Sequence, residues 1–217
     1  MILVPVKNLS CAKQRLAPLL HPGARTQLAQ AMLWDVLETL GRWSRRPEVA
    51  VVSCDPLALE LASRYDFQII ADPKNPGETG AIEMATHVCQ LRGVESTLVI
   101  PADIPLIQTW ELEMVLDEAP GEGTLLVPAR DGRGTNAILR RPAALFPLRF
   151  GNDSFKPHLA AAQATGKPCV VLHLPGIAMD VDNPADLKHL ASLPGESRAQ
   201  RLARRWAAAD FPVAANE

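Results

Sequence analysis

The stretch "TLVIPADIP", residues 97–105, sets the fold. Leu98, Val99 and Ile100 follow one another with no polar residue between them, and the run stops at Asp103 and a proline. A strand with one wet face alternates apolar and polar residues. A continuous apolar run belongs to a strand covered on both faces. Six further segments read as strands: "ILVPV" (2–6), "VAVVSC" (49–54), "FQII" (67–70), "TLLVPA" (124–129), "NAILR" (136–140) and "CVVLHL" (169–174). Helical patterns lie between them. "ARTQLAQAMLWDVLETLGRW" (24–43) places Leu28, Met32, Val36 and Leu40 on one face. "PLALELASRY", "GAIEMATHVCQLRG", "WELEMVLDEA", "SFKPHLAAAQATG" and "PADLKHLASL" follow the same spacing. Strand and helix in alternation predict an α/β fold, a three-layer αβα sandwich around a mostly parallel sheet. Ligands of such sheets lie at the carboxyl ends of the strands.

The chain has 217 residues, which suits one large α/β unit. Hydrophobic residues make up 47%, charged residues 21%, and the formal net charge is -2. A nucleic-acid binder would show a basic field, so no nucleic-acid partner is expected. No apolar run approaches a membrane span, and none is expected to contact a membrane. The N-terminus "MILVPV" lacks a basic leader and reads as a first strand. Cys11, Cys54, Cys89 and Cys169 form no CxxC pair, which predicts a reduced cytoplasmic protein with small buried thiols.

The strand ends concentrate chemistry. After the first strand come Lys7, Lys13 and Arg15, either solvated cations or a cradle for a triphosphate. The GxxxxGK[ST] pattern of a Walker loop is absent. Asp103 is a turn former, a distant helix cap, or a Mg²⁺ ligand. Asp180 and Asp182 in "MDVDNPADL" fall on the same face of an extended segment. Asn183 and Pro184 supply the N-cap and first residue of the following helix, which leaves both aspartates without a structural task. The turn "RDGRGTNAILRR" (130–141) is either a solvated hairpin tip or an anion cradle of glycine backbone, Thr135 and the Arg130 and Arg133 side chains. In "FGNDSFKPHLAAA" Gly151 precedes a helix starting near Ser154, which serves as N-cap, as part of an anion site, or as both.

Taken in order, "VPVKNLSCAKQRL", "AMLWDVL", "PADIPLI", "DGRGTNAILRRP", "FGNDSFKPHLAAA" and "LPGIAMDVDNPADL" resemble the 2-phospho-L-lactate guanylyltransferase family (CofC, or FbiD in actinobacteria) from Met1 to about Leu193. The resemblance implies a nucleotide-diphospho-sugar transferase (MobA-like) fold. It implies joining of GTP to 2-phospho-L-lactate, phosphoenolpyruvate or 3-phospho-D-glycerate with release of pyrophosphate, within deazaflavin coenzyme biosynthesis. It further implies Mg²⁺ on Asp103, Asp180 and Asp182, and catalytic roles for Asp103, Lys13 and Arg15. Lys7, Lys13, Arg15, Gly77, Glu78 and Thr79 would meet the nucleotide; Arg133, Gly134, Thr135, Asn136, Gly151 and Ser154 would bind the acid. One departure stands out. The family's "GLNxAL" segment is here "GETGAI", residues 77–82. Glu78 in place of Leu offers a carboxylate to the N1–H and N2–H donors of guanine.

The chemistry suits these parts. A phosphomonoester, second pKa about 6, attacks already ionised and needs no general base. The five histidines (His21, His87, His158, His173, His189) accordingly form no Ser/His/Asp or HExxH arrangement. The difficulty is bringing two polyanions together, which cations offset. Other classes remain open: another nucleotidyltransferase, a sugar-nucleotide glycosyltransferase of the same fold, or a non-catalytic nucleotide-binding regulator. The chain divides into residues 1–195 and a C-terminal helical tail, 196–217, whose Arg198, Arg201, Arg204 and Arg205 accompany Leu202 and Trp206. That basic amphipathic helix packs on the domain, forms a homodimer contact, or meets an acidic partner.

Overall fold

The computed structural model describes residues 1–73, 77–151 and 153–211. Seven strands form one sheet: β1 (Ile2–Pro5), β2 (Val49–Val52), β3 (Gln68–Ile70), β4 (Thr97–Val99), β5 (Gly123–Pro128), β6 (Thr135–Arg141) and β7 (Cys169–Val171). Their order is β3-β2-β1-β4-β6-β5-β7. Every pair is parallel except those made by β6, which runs against both β4 and β5. The three-layer, mostly parallel architecture is therefore present, and β5 and β6 form the hairpin read from the sequence.

Successive strand residues point to opposite faces, and here both faces are apolar. Ile2, Val4, Val49, Val51, Leu125 and Val127 pack into one core with α1 (Pro22–Arg42), α2 (Pro56–Arg64) and α4 (Thr109–Asp117). Leu3, Ala50, Val52, Leu126 and Ile138 pack into the other with α3 (Glu78–Leu91) and α5 (Phe155–Ala164). Leu28, Met32, Val36 and Leu40 of α1 are all buried.

A third cluster joins the first half of α1 to α6 (Pro184–Ser192) and α7 (Arg198–Ala208). Asp35 of α1 accepts from the N–H groups of Arg198 and Ala199, each at 2.9 Å, and so anchors the positive end of α7. Arg204 donates to the carbonyls of Ala191 and Leu193 at the end of α6. Trp206 is buried. The basic helix thus packs on the domain; residues 212–217 of the tail lie outside the described part. One expectation fails: Cys89 is the buried thiol, whereas Cys11 and Cys54 are exposed and Cys169 is half-buried. Cys11 closes a 3-10 turn, Leu9–Cys11, after β1, and Cys54 lies past the end of β2.

Candidate active site

The reversed strand explains the site's placement. β4 pairs with β6 through Val99 and Ile138, so the start of β6 lies beyond the carboxyl end of β4. Thr135 and Asn136 therefore meet the loop that follows β4 and carries Asp103. A cleft of about 810 Å³ opens there, lined by Lys7, Lys13, Arg15, Glu78, Asp103, Arg133, Gly134, Thr135, Asn136, Gly151, Ser154, Asp180 and Asp182 among others. Nearly all the residues singled out from the sequence converge on it.

At its centre lies Lys13. Its Nζ stands 2.7 Å from Asp103 Oδ2 and 2.7 Å from Asp182 Oδ1, contacts spanning 90 and 169 residues of chain. Its backbone is left-handed, φ 55°, between two short 3-10 turns (Leu9–Cys11 and Gln14–Leu16). That loop is pinned from below. Asp55, which caps α2, also accepts from Leu9 N–H at 3.0 Å, and Ser53 Oγ donates to the Val6 carbonyl at 2.8 Å. Burial by itself would strip the Lys13 proton, but Asp103 and Asp182 outweigh it and hold the ammonium above its ordinary pKa. At Asp182 burial favours the neutral acid, and Lys13 followed by Arg15 reverses this, so the carboxyl lies below its ordinary value. Arg15 adds a longer contact of 3.7 Å to Asp182. The backbone N–H of Val181 donates to the Asp103 carbonyl, tying the two acidic segments together.

Asp180 behaves differently. Burial, and then the charges of Asp103 and Asp182, push its carboxyl up to about 6, against the hydrogen bond it accepts from Asn136 Nδ2 at 3.0 Å. Glu78 is pushed up to about 7 by burial and by Asp103, against Lys7 and Lys13. The cleft thus carries more acid than its cations neutralise. Among the described residues no three carboxylate, thiol or imidazole groups stand close enough to hold a metal by themselves.

Asn183 and Pro184 start α6 as read from the sequence: Asn183 Oδ1 accepts from Ala185 and Asp186 N–H, and Asp186 reaches back to the N–H groups of Asp182 and Asn183.

A second part of the lining carries the uncharged Thr135, Asn136, Gly151 and Ser154, with Asp131, Arg133 and Asp153 beside them. Ser154 Oγ does not cap α5; it accepts from Thr135 N–H at 3.1 Å. Phe155 N–H donates to the Arg133 carbonyl, and Pro157 has no N–H, so the start of α5 offers an anion fewer backbone donors than its position suggests. Gly151 has φ +138°, a conformation that excludes side chains. The loop before it is held by side chains from three elements. Arg140 donates to the Phe146 carbonyl, Glu83 accepts from Leu148 N–H, His158 from Arg149 N–H, and Thr79 Oγ1 from Phe150 N–H at 2.9 Å. Asn152 of this motif lies outside the described residues.

Three expectations change. Thr79 does not line the cleft: its hydroxyl is used twice on Phe150, on N–H and on the carbonyl, so it fixes the loop. Gly77 also stands back from the lining; its φ of +93° forms the turn into α3. Arg130 and Arg133 are not idle cations. Arg130 pairs with Asp186 at 3.1 Å, and Arg133 makes a two-pronged pair with Asp153, whose left-handed backbone turns the carboxylate toward it. His158 and Glu83 carried no motif that marked them in advance.

The comparisons with known proteins agree with this geometry. The family described as guanylyl transferase CofC like matches residues 1–205, past Leu193 and through most of α7. The chain is 37% identical over 204 residues to a phosphoenolpyruvate guanylyltransferase of Roseiflexus castenholzii, covering 94% of this chain and 93% of the relative. It is 34% identical to a 2-phospho-L-lactate guanylyltransferase of Methanothermobacter thermautotrophicus (92% and 86% covered) and 33% identical to a 3-phospho-D-glycerate guanylyltransferase of Colwellia psychrerythraea (88% and 91%). Among solved structures, one described as a nucleotide-diphospho-sugar transferase from Desulfovibrio desulfuricans superimposes with a TM-score of 0.76 at 19% identity, covering 95% and 94% of the two chains. A 4-diphosphocytidyl-2C-methyl-D-erythritol synthase gives 0.59 at 12% identity, with 85% and 93% covered. These likenesses establish the nucleotide-diphospho-sugar transferase fold. The extent of the match and the seating of its motifs around one cleft lead to a single conclusion: this chain belongs to the guanylyl transferase CofC-like family.

Proposed function

We propose that this protein joins GTP to a phosphorylated three-carbon acid, 2-phospho-L-lactate, phosphoenolpyruvate or 3-phospho-D-glycerate, and releases pyrophosphate. The observation that carries the reading is the cleft's division: a buried ammonium fixed between Asp103 and Asp182 on one side, and a neutral wall of Thr135, Asn136, Gly151 and Ser154 on the other. A phosphate oxygen of the acid attacks the α-phosphorus of GTP. The new P–O–P bond forms as the bond to the pyrophosphate oxygen breaks. The attacking oxygen is already ionised at neutral pH, so no side chain need take a proton. Lys13 and Lys7 face the triphosphate and balance charge that moves to the leaving group. The neutral wall holds the acid in line without adding negative charge. Glu78, beside these cations, accepts from the guanine edge.

The donor set fits a hard divalent cation. Asp103, Asp180 and Asp182 carry carboxylate oxygens along one cleft, and substrate phosphates would complete a set these three do not complete alone. Burial, then the charges of Asp103 and Asp182, raises the Asp180 carboxyl to about 6, a cost such an ion would offset. Mg²⁺, held by these residues together with substrate phosphates, would supply Lewis-acid stabilisation of the transferring phosphoryl group. A place in deazaflavin coenzyme biosynthesis, a cytoplasmic location and a homodimer are further parts of this proposal.

The test is mass spectrometry of products after incubation of the protein with GTP, ATP or CTP and each acid, with and without Mg²⁺. The expected product is a guanylylated acid that forms only with the metal. Product from ATP or CTP as readily as from GTP, or none with any acid, overturns the reading.

A further inference from the structure

His158 takes no part in the phosphoryl transfer above, is 1% exposed, and sits one hydrogen bond behind the cleft wall. Its two ring nitrogens have opposite tasks. Nε2 lies 2.9 Å from the backbone N–H of Arg149. A backbone amide only donates, so Nε2 is the unprotonated nitrogen. The neutral ring then carries its hydrogen on Nδ1, which stands 2.9 Å from Thr135 Oγ1. Thr135 Oγ1 is therefore an acceptor toward His158. Ser154 Oγ, for its part, accepts from Thr135 N–H. Each hydroxyl thus has a donor behind it, and both residues, though mostly buried, line the cleft. Ser154 Oγ donates to Thr135 Oγ1 at 3.4 Å, a long contact from which an anionic competitor ahead can draw the hydrogen away. A hydroxyl that accepts from behind keeps its hydrogen for a partner ahead.

Phe150 packs edge-on against the His158 ring at 4.9 Å. A charged ring would put a donor on Nε2, facing the Arg149 donor.

We propose that His158 is a positioning residue for the acid substrate: by donating from Nδ1 to Thr135 Oγ1, it makes Thr135 present its hydroxyl hydrogen, rather than a lone pair, to a substrate oxyanion, beside Ser154, whose oxygen is met from behind by Thr135 N–H. An oxyanion only accepts, so a wall that only donates is its complement. The same ring, through Nε2, fixes the backbone two residues before Gly151, so hydroxyl direction and loop position are set together. The inference rests on the acid binding at this wall, as proposed above.

Two measurements test it. Ring-nitrogen NMR on the whole wild-type protein at neutral pH is expected to find His158 neutral with its hydrogen on Nδ1. A hydrogen on Nε2, or a charged ring, sinks the idea whatever the kinetics. Steady-state kinetics then compare His158→Phe, which keeps the ring volume and loses both nitrogens, with His158→Asn, whose amide can still donate to Thr135. His158→Phe is expected to raise KM for the acid about tenfold and to leave KM for GTP within about twofold. His158→Asn should recover most of the loss, and His158→Phe should add little in a Thr135→Val background. An asparagine as poor as phenylalanine, additive losses, or equal changes in KM for both substrates would show a merely structural histidine. The NMR result does not need turnover. If the wild type makes no product with any acid, it is the proposed function that fails, and the ring assignment still stands or falls by itself.

Discussion

The two walls of the cleft solve different problems by different means. On the Lys13 side, charge meets charge: three side chains 90 and 169 residues apart in the chain are drawn together, with the carboxylates 30–41% exposed. On the Thr135 side nothing within the hydrogen-bonded cluster is charged, and Thr135, Ser154 and His158 are buried. The first arrangement lowers the repulsion between two anionic substrates. The second gives direction, because a buried neutral hydrogen bond is specific in geometry while adding little net energy. On the proposed function, chemistry common to nucleotidyl transfer sits on one wall and choice of acid on the other.

That contrast can be broken at several points. Removing the central cation should have the largest effect. Lys13→Ala leaves two carboxylates facing each other and the triphosphate, and kcat for pyrophosphate release should fall about a thousandfold. A drop of tenfold or less would mean that Lys13 orders the loop and does little else. Next comes the response to acid. Burial, then the charge of Arg140, lowers the His158 pKa from 6.5 to about 4. Unfolded chains take up this proton below about 6.5, and the folded protein refuses it until about 4. The neutral ring's contribution to stability is therefore full above pH 6.5 and is lost as pH falls through that window, by about 3 kcal/mol in all. Urea unfolding at successive pH values should show this slope in the wild type and not in His158→Phe; parallel curves would refute it.

Glu78→Ala should cost GTP about tenfold more than ATP if its carboxyl reads the guanine edge. Equal losses would assign Glu78 to the phosphates, alongside the Lys7 and Lys13 charges it already feels. The smallest change is expected at Arg133. Its partner Asp153 is as exposed as itself, and such pairs are screened by water. Arg133→Ala should alter KM for the acid by less than about threefold. A tenfold loss would return Arg133 to the acid-gripping role that its position in the turn suggests.

Much of this was legible in the chain. Seven apolar runs became seven strands; in the five central ones burial on both faces writes itself as apolar runs, while the edge strands β3 and β7 are only partly buried. Asp103, Asp180 and Asp182 stood out because carboxylates at apolar strand ends have few structural uses; Asp103 and Asp182 meet across Lys13, and Asp180 lines the same cleft on Asn136. Which groups meet which was not legible. A sequence shows Lys13 as a cation near a loop, not as the bridge between Asp103 and Asp182. Arg133 and Asp153 lie 20 residues apart in two turns, and only their tertiary approach reveals the pair. Thr79 sits beside Glu78 in sequence, yet the first turn of α3 sends its hydroxyl to Phe150. His158 is one histidine in an ordinary helix, and its meaning comes wholly from the two atoms its nitrogens touch.

The single reversed strand has a further consequence. Residues 138–140 fix β6 to β4 and residues 137–141 fix it to β5, beyond the Thr135–Pro128 pair and its register irregularity beside the turn. Added or deleted residues in the 130–134 turn would reshape the mouth over the acid while Asp103 and Lys13 keep their places. If the acid binds where proposed, such an arrangement lets the lineage retune which small metabolite it accepts by editing one tip, with the engine for moving a nucleotide left untouched.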